Sequence, residues 1–185
     1  QNGGQAILTK NEHKTGTDRI YEVFQKINSA EIDLVMNLQG DEPLINIDDI
    51  RNLNKKMIES SSKLGTLASK IQNKTLLENP NVVKVLTKKN LNQTNFPEAL
   101  NFMRNITEEK ENIYHHLGVY LYNKDTLEKF VSLNQSTSEI KNKLEQLRAL
   151  DNDIEINVAF AKFDPIGVDT EEDLEAVKKI MENKS

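Results

Sequence analysis

The chain has 185 residues, a formal net charge of -5 and a mean hydropathy of -0.61, the size of one ordinary domain with no apolar run approaching the ~20 residues of a membrane-spanning helix. Cysteine is absent, which excludes disulfides, thiolate metal sites and cysteine nucleophiles, and the acidic balance argues against a surface that wraps nucleic acid. The opening QNGGQAILTK lacks the basic-then-apolar pattern of a secretion signal, so the expectation is a soluble cytoplasmic globular domain that needs no membrane. The chain starts at Gln1 and not at Met, which reads as a piece of something longer. In chain order, residues 6–8 suggest a short strand. Residues 17–27 suggest a helix with Ile20, Val23, Phe24 and Ile27 on one face and Thr17 as N-cap. Residues 33–38 read as a buried strand and 47–57 as a helix. Residues 66–71 and 82–86 are β-like, the second after an Asn79-Pro80-Asn81 turn signal. Residues 88–112 read as loop with one short strand at 99–102. Residues 116–122 form a strand by their aromatic and branched content, and 124–131 and 139–150 form helices. Residues 155–161 alternate as a strand, and 170–181 form an amphipathic helix opened by a Thr170/Asp173 capping box. The alternation of periods is that of an α/β domain.

The segment NLQGDEPLI, from Asn37, is the most informative. A strand runs into Gln39-Gly40-Asp41-Glu42-Pro43, and ligands of open α/β sheets bind beyond strand C-termini. Gly40 permits close backbone approach to a ligand, and Asp41 and Glu42 offer hard oxygens suited to Mg²⁺. A polar turn has the same composition. A second carboxylate cluster, DPIGVDTEEDLE, places Asp169 just before the last helix, where it serves either as a cap or, with Asp41, as a ligand of one Mg²⁺.

His115 and His116 open a strand and point to opposite faces. His115 shares its face with Leu117, Val119 and Leu121 and reads as packed or edge. His116 shares the other with Gly118, Tyr120 and Tyr122, where a ligand has room. In LEQLRAL, Leu144, Leu147 and Leu150 form the core stripe, and Glu145, Gln146 and Arg148 lie off it, either solvated or, for the first two, bonded to a polyol. TGTDRI, from Thr15, is a helix start able to hold an anion, with Arg19 able to fork onto a carboxylate. Arginine occurs only at Arg19, Arg51, Arg104 and Arg148 in a lysine-rich chain, which suggests sites that need its planar fork. G-x-S-x-G, P-loop, G-x-G-x-x-G and H-E-x-x-H patterns are all absent from the sequence.

TGTDRI, NLQGDEPLI, NPNVVKV, HLGVY, LEQLR and GVDTEEDLE, in this order, resemble the 3-deoxy-manno-octulosonate cytidylyltransferase (CMP-Kdo synthetase) family over residues 11–181. The resemblance implies a single cytidylyltransferase domain over 1–185. Its fold would be Rossmann-like, three-layered, with a mixed, mostly parallel sheet that is N-terminally incomplete. It implies a Mg²⁺-dependent cytoplasmic homodimer that activates the acidic sugar Kdo with CTP for lipopolysaccharide synthesis. Asp41 and Asp169 match the family's Mg²⁺ ligands. Gln39, His116, Tyr120, Glu145 and Gln146 match positions around the sugar, and Arg19 matches a motif arginine with a catalytic and substrate-binding role. Thr15, Gly16, Thr17 and Gly40 fall beside the nucleotide. Arg104 and Arg148 fall at family arginine positions.

Three departures accompany the match. Gln1 lines up inside the family sequence, so the first quarter, with an I-P-A-R-like CTP loop and the first strand, is expected to lie outside this chain. That would leave an unpaired edge at 34–38 and feeble activity in the chain alone. Met103-Arg104-Asn105-Ile106 replaces the family's S-R-A-x-I-P, with a shortened stretch after it, and Asn142 stands where a glutamate is expected. The alternatives are a cytidylyltransferase for a sialic- or legionaminic-type acid, or a non-catalytic sugar-binding or dimerisation fragment.

Overall fold

The computed structural model describes residues 4–27, 31–106, 111–163, 165, 167–168 and 170–182. Its centre is β5 (Ile113–Asn123), which the aromatic and branched content of the segment predicts and which extends three residues further toward the N-terminus. β2 (Leu64–Ser69) lies antiparallel along one edge of β5, and β6 (Asn157–Phe160) runs parallel to β2 beyond it. The other edge of β5 is shared. β1 (Leu34–Leu38) pairs with residues 119–123, and β3 (Lys84–Thr87) pairs with 113–115 and carries β4 (Ala99–Met103) outside it. β1, β2, β3 and β6 thus run one way and β4 and β5 the other, a mixed sheet of six strands. Among the described residues β1 pairs with β5 alone.

Helices cover both faces. α2 (Ile47–Ser60) starts at Asn46, whose side chain accepts from Asp48 N at 2.7 Å, with Asp48 and Asp49 against the helix dipole. Its Leu53 and Met57 bury against Leu67, Leu117, Val119 and Leu121. On the opposite face α1 (Gly16–Lys26) and α4 (Lys124–Ser132) bring Phe24, Leu127 and Phe130 onto Tyr120 and Tyr122. α3 (Lys74–Glu78) is a short helix between the two β-like segments, where the sequence reading placed no element. α5 (Thr137–Asn142), α6 (Leu147–Leu150) and α7 (Glu171–Glu182) complete the order. Thr170 and Asp173 exchange the expected reciprocal bonds at the start of α7.

Three expectations are corrected. Residues 6–8 are not a strand: no neighbouring strand pairs with them among the described residues. Side chains of α1 meet this backbone instead, Lys26 Nζ on Leu8 O at 2.9 Å and Arg19 on Lys10 O at 3.0 Å. The N-cap of α1 is Thr15 and not Thr17. Thr15 has extended backbone, and its hydroxyl accepts from Asp18 N at 3.2 Å, while Thr17 is helical and fully buried. The helix expected over 139–150 is two helices. Lys143 adopts the left-handed conformation (φ 54°), which the α-helical ladder cannot pass, and caps α5. Ser136 and Glu139 close a full capping box at its other end.

Candidate active site

The site arises where β5 changes neighbours. The β1 ladder ends at Leu38 opposite Val119, and on the β3 side His116 N donates to Val83 O at 2.9 Å. Gly118 lies between. Here the register with β2 also slips, between Thr66 and Leu67. A crevice at the end of a strand where neighbours diverge is the general ligand position of open α/β sheets. The turn after β1 fills part of it: Glu42 N donates to Gln39 O at 3.3 Å, and the Glu42 carboxylate accepts from Gly118 N at 3.4 Å. Glu42, read from sequence as a metal ligand, therefore also supports β5 at its open edge.

The resulting cleft encloses about 1340 Å³. Thr15 and Gly16 reach it from α1, Gln39 and Asp41 from the β1 turn, and His116 and Tyr120 from β5. Glu145 and Gln146 arrive from the segment after α5. Eight residues singled out from the sequence on four segments thus share one cavity. The left-handed turn at Lys143 is what delivers Glu145 and Gln146, because a continuous helix would carry them onward around its axis. Gln146 is buried, as the stripe assignment did not anticipate.

His116 and Tyr120 form a buried inner wall. Burial, and then the neighbouring His115, pushes the His116 imidazole down to about 3. Thr66 Oγ1 gives its proton to Val119 O at 2.7 Å, so the His116 Nε2–H donates to that hydroxyl at 2.9 Å. That fixes the tautomer and leaves Nδ1 as the acceptor nitrogen. Burial likewise pushes the Tyr120 and Tyr122 phenols well up, so both keep their protons. Glu145 is raised by burial against the opposing pull of its Thr17 bonds. Its two oxygens accept from Thr17 Oγ1 at 2.9 Å and Thr17 N at 3.4 Å, and so join this segment to the start of α1.

Arg148 is in the core and not on a solvated face. Its Nε and one amino group grip Glu139 at 2.8 and 2.6 Å, its other amino group reaches Asp18 at 3.5 Å, and its plane lies 4.5 Å from the Phe130 ring centre. It holds α5, α6 and α1 together behind the cleft. Arg104 borders the cleft and donates to the carbonyls of Pro80, Asn81, Asn142 and Lys143 at 3.3–3.4 Å. Lys84, which the sequence reading passed over, is fully buried and bonds Asn79 O and Arg104 O, and burial lowers its pKa.

Several expected site residues stand elsewhere. Arg19 is exposed and bonds Thr9 and Lys10, because its helix position faces the N-terminal segment. Thr17 is the layer beneath the cleft, and Gly40 does not line it. Asp169 lies outside the described residues. The two carboxylate motifs nevertheless touch through backbone: Val168 N donates to Asp41 O at 2.8 Å. A Cβ on Gly167 would sit 3.7 Å from that same oxygen and 3.8 Å from a Glu42 carboxylate oxygen. Among the described residues no three carboxylates or imidazoles gather as a complete metal cage. Asp41 is an exposed hard-oxygen donor facing the cleft, which suits a cation completed by water and phosphate oxygens.

Comparison with known proteins gives a consistent picture. A family model described as cytidylyltransferase matches residues 1–156. The 3-deoxy-manno-octulosonate cytidylyltransferase of Bartonella tribocorum is 40% identical over 181 residues, 97% of this chain and 74% of the relative. That of Thermodesulfovibrio yellowstonii is 39% identical over 194 residues, 99% of this chain and 76% of the relative. Among solved structures, CMP:2-keto-3-deoxy-manno-octonic acid synthetase complexed with CTP superposes with a TM-score of 0.84 at 34% identity, over 99% of this chain and 74% of that one. The 4-diphosphocytidyl-2C-methyl-D-erythritol synthase of Anaerococcus prevotii shares the fold alone, at TM-score 0.55 and 13% identity over 92% of this chain and 68% of that one.

Proposed function

The chain belongs to the 3-deoxy-manno-octulosonate cytidylyltransferase family of nucleotidyltransferases, and on that premise we propose that it joins CMP from CTP to Kdo and releases pyrophosphate. The observation that carries the reading is the convergence of Gln39, Asp41, His116, Tyr120, Glu145 and Gln146 on one cleft. A sugar hydroxyl attacks the α-phosphorus and releases its proton to solvent, the bond from the α-phosphorus to the bridging oxygen breaks, and pyrophosphate leaves with the electron pair. No covalent enzyme intermediate is required, and the chain offers no cysteine to form one. Catalysis then rests on positioning and on stabilising phosphate charge.

The residues divide that work. His116, neutral at physiological pH, accepts a hydrogen bond from a sugar hydroxyl through Nδ1. The Tyr120 phenol, protonated, donates or accepts at a second hydroxyl. Glu145 and Gln146 take further hydroxyls. Lys14 and Arg104 on the rim bring positive charge to a cleft that must hold a carboxylate and phosphates. Asp41, with Asp169, would hold Mg²⁺, which supplies charge neutralisation at the phosphates when bound. The same reading makes the protein a cytoplasmic homodimer whose product supplies lipopolysaccharide synthesis.

The test is pyrophosphate release from CTP and Mg²⁺ with either Kdo or N-acetylneuraminate as acceptor. Release with Kdo, abolished by a chelator, is expected. Faster release with N-acetylneuraminate would move the assignment to another acidic sugar, and binding of either sugar without any release would make the chain a binding module.

A further inference from the structure

Asn37 is the last residue of β1 turned toward α1, and its side chain is 3% exposed. Its amide Nδ2 has no hydrogen-bond partner among the described residues. A buried donor left unsatisfied destabilises the free protein, so such a group asks for an occupant. What it faces is a gap. A Cβ built on Gly16 would sit 3.4 Å from Asn37 Nδ2 and 3.7 Å from Gln39 Nε2. Two amide donors therefore converge on the space that a side chain at Gly16 would take. Gly16 is the first residue of α1, an 11-residue helix, and it lines the cleft together with Gln39. No positive φ demands glycine there.

We propose that Asn37 and Gln39 form a seat for an uncharged oxygen, a substrate hydroxyl, which glycine at position 16 keeps open. The inference rests on the cytidylyltransferase reading for the identity of the substrates. The occupant is uncharged because the helix start already holds an anion. The Glu145 carboxylate accepts from Thr17 N and Oγ1, one residue along, and the Asp18 carboxylate follows. A second carboxylate or phosphate would meet both at short range. A hydroxyl accepts from the two amides without that repulsion. Its source is either the acidic sugar or the ribose of the nucleotide.

Two substitutions test the seat. In Gly16→Ala the methyl makes ordinary contacts and fills the gap. In Asn37→Leu the orphan donor is exchanged for an apolar group of similar shape. Thermal melts and calorimetric titrations with CTP alone and Kdo alone are the readouts. Both variants are expected to melt at or above the wild-type temperature, because neither breaks a bond of the free protein. Both are expected to bind one of the two ligands about tenfold more weakly, the loss of about one well-made hydrogen bond. Weakening confined to Kdo identifies a hydroxyl of the sugar acid; weakening confined to CTP identifies the ribose. Wild-type affinity for both ligands in both variants would overturn the seat, as would a lowered melting temperature in Asn37→Leu, which would give the amide a role inside the fold. A wild-type chain that binds neither ligand would overturn the cytidylyltransferase reading and the seat's occupant together.

Discussion

The two faces of β5 are built on different rules. On one, Leu117, Val119 and Leu121 meet Leu53 and Met57 of α2 in a wholly apolar layer. On the other, His116, Tyr120 and Tyr122 form a chain of rings, with Phe102 at one end and Phe130 at the other. Behind those rings stand the buried ions Arg148 and Glu139. The first face can be satisfied by volume alone. The second must keep polar groups dry and bonded while leaving some of them turned toward the cleft. The apolar face is thus packing alone, while the polar face combines a buried ion pair with groups open to the cleft. Substitutions should therefore separate activity from stability according to the face they touch.

The sharpest separation is expected at Asp41, which borders the cleft and supports no packing. Asp41→Ala should cut turnover roughly a thousandfold or more, the scale at which losing a transition-state charge partner acts, while the melting curve stays unchanged. Pyrophosphate release and calorimetry on the same sample decide it. Near-normal release would remove Asp41 from the chemistry.

Arg148 should give the reverse pattern first and a mixed one second. Its guanidinium is 2% exposed and its partner Glu139 is 3% exposed. Arg148→Met leaves that carboxylate buried and unpaired, which should destabilise by about 3–5 kcal/mol in urea unfolding. Adding Glu139→Gln should restore part of the loss, since the stranded charge is then gone. A double variant no more stable than the single one would assign Arg148's role to its packing on Phe130 and not to the ion pair.

On the apolar face Gly65 is the most constrained position. An added Cβ would come within 2.8 Å of Met57 Sδ, 2.9 Å of Leu53 Cδ1 and 3.1 Å of Phe96 Cζ. Gly65→Ala should destabilise by about 1–3 kcal/mol through overpacking and leave KM for both substrates unchanged. A changed KM would show that the two faces are mechanically linked through β2.

The difference between the faces also explains what the sequence could reveal. The apolar face was legible because period and burial coincide: Leu117, Val119 and Leu121 alternate without exception. The polar face was legible in its residue types, and the strand parity that put His116 with Tyr120 holds. Its long-range partners were not legible. Nothing near Arg148 in the sequence announces Glu139 as a bidentate partner across the left-handed turn at Lys143, and the helical period carried straight through that turn. Thr17 was read as a cap because it precedes the apolar stripe, yet the cap bond belongs to Thr15, whose backbone is extended. Arg19 was placed in the site by its motif, but its position on α1 turns it to the N-terminal segment. The orphan amide of Asn37 carried no signal, because an unsatisfied donor is a property of surroundings and not of the residue.

The smallest expected effect is a pH slope, and it belongs to the polar face alone. The folded protein holds the His116 imidazole at about 3, against 6.5 in an unperturbed chain. Between those values the unfolded state binds a proton that the folded state refuses. The contribution of His116 is therefore fully present above about pH 6.5 and is lost as pH falls toward 3, with a slope of about 1.4 kcal/mol per unit. Glu145 acts in the opposite sense at the acid end. Its pKa is raised above 4.5 by burial, so its protonation favours the folded state there and flattens the curve. Urea unfolding at pH 7, 6 and 5 should show wild-type stability falling, and His116→Gln falling less steeply over the same range. Equal slopes would mean that His116 takes a proton without unfolding its surroundings. The buried inner wall of the cleft would then admit charge, and the neutral imidazole of the proposed mechanism would be lost.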